Sequence, residues 1–220
     1  MRYIIGTGFH SKPGENREAF FPIWWANTMR YANPERVIVL ASGGNPIPGA
    51  PGQWISMTGD LGHTHDLNNH RKPYHWCGWS IALVTLALLA YFNETDFIFK
   101  EQDALAFGPW VDRMYAEIGS KGLIFGRARC QQAVQSILLC KHDFIPEFVR
   151  LYMGTGSEQL KENEGELKFA RLEEAHPNLF GRYSFACDRD RPIPYNDEVV
   201  YAQQMTAAEI QEFRNRGRLD

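Results

Sequence analysis

Disulfide chemistry has little to work with in this chain: its four cysteines, Cys77, Cys130, Cys140 and Cys187, form no C-x-x-C pair and no short secreted-scaffold spacing. That usage argues against a disulfide framework or a structural zinc site and for reduced thiols in the cytoplasm. Neither charge sign dominates, since 23 basic against 26 acidic residues leave a formal net charge of −3. No strong positive field exists to draw in nucleic acid or an anionic membrane surface. No charged-then-apolar leader opens the sequence, because Tyr3-Ile4-Ile5 meets Gly6 at once. The longest apolar run, Trp79 to Phe92, has 14 residues, too few to cross about 30 Å of hydrocarbon as a helix. Nucleotide-loop motifs are missing as well. Gly6-Thr7-Gly8 opens no G-x-G-x-x-G, because position 11 is Ser, and no G-K-[ST] occurs.

With 220 residues, 44% of them hydrophobic, the chain can bury a sizeable core as one domain, 1–220. Strands are expected at Tyr3 to Gly8, Arg36 to Ser42, Gln53 to Met57, Thr95 to Phe99 and Gly122 to Gly126. Helices are expected from a cap at Asn16 to Tyr31, from Tyr74 to Tyr91 and from Pro109 to Ile118. The order β-α-β-β-α-β-α-β argues for an α/β fold with a mostly parallel sheet over 1–127. The remainder, 128–220, reads as less regular. It holds a strand at Gln135 to Cys140, a short helix at Ile145 to Met153, a charged helix from Ser157 to Ala175 interrupted at Gly165, and a last helix opened by the capping box Thr206-Ala207-Ala208-Glu209.

Chemistry concentrates where the apolar strand Phe97-Ile98-Phe99 runs into Lys100-Glu101-Gln102-Asp103. In extended backbone alternate residues point the same way, so Glu101 and Asp103 can face one crevice at the carboxyl edge of the sheet. Hard oxygen ligands there suit Mg²⁺ or Mn²⁺ bound together with a phosphorylated substrate, and a solvated pair on a strand-to-loop turn is the other reading.

In the order of these parts the chain resembles glycosyltransferases of the GT-A fold, which use nucleotide-sugar donors. The likeness rests on a first strand ending in Thr7-Gly8-Phe9, a helix, a second strand, and a long helix leading to an apolar strand that ends in the acid-x-acid motif Glu101-Gln102-Asp103. It extends to Gly165-Glu166-Leu167-Lys168, similar to the family's acidic acceptor-side segment, and to Asp188-Arg189-Asp190-Arg191-Pro192, similar to a diphosphate-contacting tail loop. The resemblance implies a GT-A-like sheet flanked by helices, with a donor half over 1–127 and an acceptor half and tail over 128–220. It implies transfer of a sugar from a nucleoside-diphosphate donor to a hydroxyl of a glycan or lipid-linked acceptor. Thr7, Gly8, Phe9 and Asp60 would meet the nucleotide. Glu101 and Asp103 would hold the ribose, the diphosphate or a Mn²⁺ or Mg²⁺ ion, and Arg189 and Arg191 would contact the diphosphate. In an inverting enzyme Glu166 would be the catalytic base; Leu167 stands where many inverting members have Asp. The first acid is Glu where the family more often has Asp, and no histidine follows His176.

The physical demand behind these roles is charge. Breaking the bond between an anomeric carbon and a diphosphate leaves negative charge on the departing group, which a cation on Asp103 and forked guanidinium donors can meet. Arg189 and Arg191 read equally as partners in a surface Asp-Arg network, and Glu166 as part of a solvated helix face. The polar loop Gly59 to Pro73 contains His63-x-His65-Asp66 and His70, which opens an alternative as a metal-dependent hydrolase; its spacing departs from the His-x-His-x-Asp-His pattern by one residue. Six tryptophans open a third, a non-catalytic carbohydrate-binding module. Trp24 and Trp25 read as core, and Trp54, Trp76 and Trp110 as freer to meet a sugar.

Overall fold

Alternating apolar residues on buried strands build a three-layer α/β/α sandwich. The computed structural model describes residues 1–11, 17–42, 47, 49–57, 78–127, 133–155, 164–186, 193 and 201–219, with main chain only for 127, 164–167, 185 and 186. In chain order the elements are β1 (Tyr3–Phe9), α1 (Arg17–Tyr31), β2 (Arg36–Ser42), β3 (Gln53–Met57), α2 (Gly78–Phe92), β4 (Asp96–Lys100) and β5 (Ala104–Ala106). There follow α3 (Trp110–Ile118), β6 (Leu123–Arg127), β7 (Val134–Cys140), α4 (Ile145–Gly154), α5 (Glu164–Ala175), β8 (Phe180–Ala186), β9 (Tyr201–Gln203) and α6 (Ala207–Asn215).

The main sheet has seven strands in the order β3-β2-β1-β4-β7-β6-β8, and β5 pairs with β9 in a second sheet of two. All main-sheet neighbours are parallel except β7, which runs against both β4 and β6. Strand residues alternate between two cores as the pleat requires. Ile5, Val37, Val39, Ile98, Ile137 and Leu139 meet Trp24 of α1, Trp110 and Met114 of α3 and Phe213 of α6. Ile4, Ile38, Leu40, Phe97, Phe99 and Leu138 meet Leu83 and Leu86 of α2, Phe148 of α4 and Phe169 of α5. Burial on both faces explains the unbroken β-branched run of β2.

Helix α2 is apolar on nearly every side because it lies directly over β1 and β4. Gly6 allows the approach: a Cβ there would sit 2.4 Å from Leu86 Cδ2. From β1 the chain crosses through α1 to β2 on one side, and from β3 it returns through α2 to β4 on the other. The order of strands therefore reverses between β1 and β4, which opens a crevice beyond their carboxyl ends.

Several sequence expectations change. Of the charged helix expected from Ser157, residues 157–163 lie outside the described residues, and Gly165 lies in the first turn of α5, which runs unbroken to Ala175. Strand β8 was not expected, because Phe180-Gly181-Arg182-Tyr183 mixes polar and apolar residues, as an edge strand of the sheet can. Strands β5 and β9, three residues each, are too short to leave a periodic signal. Trp110, expected to be freer to meet a sugar, is fully buried as the first residue of α3, and Trp54 is part of an aromatic group with Phe9 and Phe21. Asn16 and Trp76 lie outside the described residues. Among the described residues no helix is long and apolar enough to cross a membrane.

Candidate active site

The acid pair sits at the reversal point. Strand β4 ends at Lys100, beside the carboxyl end of β1, and Glu101-Gln102-Asp103 follows as a turn closed by the Ala104 N–H donating to the Glu101 carbonyl at 3.0 Å. The two acids do not converge by strand alternation, as expected from the sequence, but because this turn folds the backbone between them.

Each residue of the turn is tied to a different element. The Glu101 N–H donates to the Ser136 carbonyl of β7 at 2.7 Å, and Trp24 Nε1 of α1 donates to the Glu101 carbonyl at 2.9 Å. Gln102 reaches across the crevice to His10, just past β1: its Oε1 accepts from His10 N at 3.2 Å and its Nε2 donates to His10 O at 3.3 Å. His10 Nδ1 lies 3.0 Å from the Ser42 carbonyl at the end of β2, so this nitrogen carries the proton. Three strand ends are thereby linked edge to edge.

Below the turn, Lys100 is completely buried. Its Nζ donates to Asn27 Oδ1 at 2.9 Å and Thr28 Oγ1 at 2.8 Å, both on α1, and the same Asn27 oxygen accepts the Ala106 N–H of β5 at 3.0 Å. Burial holds the Lys100 ammonium well below the usual lysine range. Helix α1 thus grips the acid turn at its start, its first acid and its exit.

From the other side comes Gln203. Strand β9 pairs antiparallel with β5, putting Gln203 opposite Ala104. Its Nε2 donates to Glu101 Oε2 at 2.6 Å and to Asp103 Oδ1 at 3.0 Å, so both carboxylates converge on one nitrogen. Its Oε1 accepts from Ser136 Oγ at 2.8 Å and from the Tyr201 hydroxyl at 2.7 Å. Two carboxylates meeting at one point are the hard-oxygen set that Mg²⁺ or Mn²⁺ takes when a substrate phosphate supplies further ligands, so the residues fit the ion that the sequence resemblance implies.

The remaining predicted residues divide. Thr7 is buried in β1 with its hydroxyl donating to the Gly8 carbonyl at 3.2 Å, and Gly8 backs onto Ala82 of α2. The Phe9 ring is core, edge-on to Phe21 and Trp54. What Thr7-Gly8-Phe9 offers the crevice is the backbone end of β1, and the polar side chain there is His10. Glu166 lies in the first turn of α5, a helix packed on α4, β7 and β8, and its side chain is outside the described residues. Asp60, Arg189, Arg191, His63, His65 and His70 are also outside them. Among the described residues no three His, Cys, Asp or Glu side chains gather in a metal-binding group.

Sequence reading missed His10, Ser136 and Gln203. His10 was legible as the first polar residue after an apolar strand that ends at the crevice. Gln203 carried no local signal, because it reaches the acids through a pairing with residues about 100 positions away.

No protein-family model and no curated sequence matches the chain. Solved structures do. A glycosyltransferase involved in glycosylation of the major capsid of PBCV-1 aligns with a TM-score of 0.53 over 98% of this chain and all of its own, at 9% identity. The glycosyltransferase GlyE of Streptococcus pneumoniae TIGR4 aligns with a TM-score of 0.57 at 11% identity over 94% of this chain, which spans only 55% of GlyE. The galactosyltransferase LgtC, solved with donor and acceptor sugar analogues, gives 0.52 at 12% identity over 94% of this chain and 88% of its own.

Proposed function

On the GT-A fold that the chain shares with these enzymes, we propose that it is a glycosyltransferase, moving a sugar from a nucleoside-diphosphate donor to a hydroxyl of a glycan or lipid-linked acceptor. One observation carries the reading: Glu101 and Asp103 converge at the carboxyl end of β4, at the strand-order reversal, gripped by α1, β1 and β9.

The crevice between β1 and β4 is the donor site. The backbone end of Thr7-Gly8-Phe9, with His10, forms one wall and the acid turn the other. A Mg²⁺ or Mn²⁺ ion held by Glu101 and Asp103 would supply positive charge for the diphosphate. Strands β3 and β8 end on this same edge, at Met57 and Ala186, and the segments that follow them carry Asp60 for the nucleotide and Arg189 and Arg191 for the phosphate oxygens. Guanidinium groups stabilise the departing diphosphate by forked hydrogen bonds whose strength grows as charge develops. If configuration inverts, Glu166 accepts the acceptor's proton; if it is retained, that role lapses. One continuous main sheet running from β1 to β8 supports a single domain, its donor half in 1–127 and its acceptor half in 128–220. Cytoplasmic residence belongs to the same reading, on the cysteine spacing of the sequence.

Thermal-shift screening against UDP-, GDP- and CMP-sugars, with and without Mn²⁺, tests it. Ligand at 100 times its Kd stabilises the native state by about 2.7 kcal/mol, a rise in Tm of about 5–10 °C for a chain of this size. The hit should then lose its sugar to an acceptor, releasing nucleoside diphosphate. A Tm unmoved by every nucleotide sugar in either condition defeats the proposal.

A further inference from the structure

The amide of Gln203 faces the acids with the wrong atom for a metal site, and its surroundings show how that can reverse. Gln203 is 1% exposed and gripped at both ends. On one side Nε2 donates to Glu101 Oε2 and Asp103 Oδ1; on the other Oε1 accepts from Ser136 Oγ and the Tyr201 hydroxyl. Ionised carboxylates only accept, so on that side the amide must present its N–H group as long as no cation intervenes. With a cation between the acids the same N–H protons would point at positive charge.

Hydroxyls, unlike carboxylates, both donate and accept. A half turn of the terminal amide exchanges Oε1 and Nε2 almost without change of shape. Nε2 then finds acceptors in the lone pairs of Ser136 Oγ and the Tyr201 oxygen. Oε1 arrives where Nε2 stood, 2.6 Å from one carboxylate oxygen and 3.0 Å from the other. Neighbouring oxygens of an octahedral ion with bonds of about 2.0–2.1 Å lie about 2.9 Å apart, a spacing that these two separations bracket.

We propose that Gln203 is a cation-coupled amide switch: its N–H group holds Glu101 and Asp103 together without the ion, and its carbonyl turns to become the third protein ligand when Mn²⁺ or Mg²⁺ binds. This rests on reading the two acids as the metal-binding pair of the glycosyltransferase. Gln203 is a positioning residue towards the acids and a ligand towards the ion.

The test measures Mn²⁺ binding to the full chain by electron paramagnetic resonance, with no sugar donor present. Gln203→Leu should bind Mn²⁺ at least tenfold more weakly than wild type. Gln203→Glu, which keeps the shape and supplies a permanent oxygen, should bind it at least tenfold more tightly, melt lower than wild type without Mn²⁺ and recover with it. Should Gln203→Leu fail to fold by circular dichroism, the Glu variant still decides. A Leu variant that binds as well as or better than wild type would show the amide to be a plug and not a ligand, and a Glu variant matching wild type would overturn the switch as well. The two proposals fail separately. Mn²⁺ binding that depends on Gln203 in a protein inert towards every nucleotide sugar leaves the switch standing and removes the transferase, and sugar transfer with Mn²⁺ affinity indifferent to Gln203 does the reverse.

Discussion

Gln102, the middle residue of the acid turn, pairs with the backbone of His10 through both atoms of its amide, accepting from the N–H at 3.2 Å and donating to the carbonyl at 3.3 Å. The bond joins the turn after β4 to the end of β1 across the crevice that the strand order opens. An uncharged side chain therefore fixes how far the turn after β4 stands from the end of β1.

Gln102→Ala removes both bonds and should cost about 1–2 kcal/mol of stability, since a net hydrogen bond contributes about 1 kcal/mol. Its effect on transfer should be larger, a tenfold or greater fall in kcat/KM, because small misplacements of binding groups cost far more in rate than in folding. Steady-state kinetics beside urea denaturation check this; a variant with wild-type kcat/KM would show the wall spacing to be irrelevant.

Asp103→Asn should leave the fold intact, because the new amide oxygen still accepts from Gln203 Nε2, while transfer falls a hundredfold or more with the lost charge. Glu166→Gln should lower the rate by about 10²–10⁴ in an inverting enzyme and leave a retaining one unchanged. Turnover on radiolabelled donor, with the anomeric configuration of the product read by NMR, separates the cases. Full activity in Asp103→Asn would strip the acid pair of its role.

How much of this was legible depends on sequence distance. The apolar strand before Lys100 and the acids after it announced themselves, because a buried strand and a polar exit differ in composition within eight residues. The grip on those acids did not. Trp24 read as core and Asn27 carried no signal of its own, and their polar contacts with Glu101 and Ala106 appear only once α1 lies under the turn. Gln203 depended on the register of β5 with β9, which three-residue strands cannot signal. Phe9 differs in the opposite sense: its place at the end of β1 was legible, but strand alternation turns its ring into the core beside Phe21, which leaves its backbone to face the crevice.

Gly6 should resist substitution for a reason internal to the fold. A Cβ would meet Leu86 Cδ2 at 2.4 Å and Cδ1 at 2.5 Å in a fully buried position, so Gly6→Ala should cost about 1–3 kcal/mol through overpacking. Shortening the obstructing residue tests the cause. The double variant Gly6→Ala, Leu86→Ala should be more stable than the sum of the single losses by about 0.5–3 kcal/mol, read from urea midpoints. Strict additivity would place the strain elsewhere.

Lys100 gives the last prediction, a pH dependence with a definite sign. Its Nζ has two acceptors, Asn27 Oδ1 and Thr28 Oγ1, which match the two protons of a neutral amine. The Trp24 ring, 5.1 Å from Nζ, favours the charged form, but complete burial outweighs it and the group sits well below its ordinary 10.5. Between the lowered folded value and 10.5 the unfolded chain binds a proton that the native state does not, so native stability contributed at this site rises with pH across that window and is lost as pH falls. Lys100→Met keeps the apolar stem, removes the ionisation and leaves Asn27 Oδ1 its bond from Ala106 and the Thr28 hydroxyl its bond to the Trp24 carbonyl. Relative to wild type the variant should be most favoured at pH 7, and the difference should shift steadily towards wild type as pH is raised to 9.5. Urea denaturation of both proteins across that range makes the measurement. A difference that does not change with pH would mean that Lys100 is charged in the native protein, and that a counter-charge reaches it.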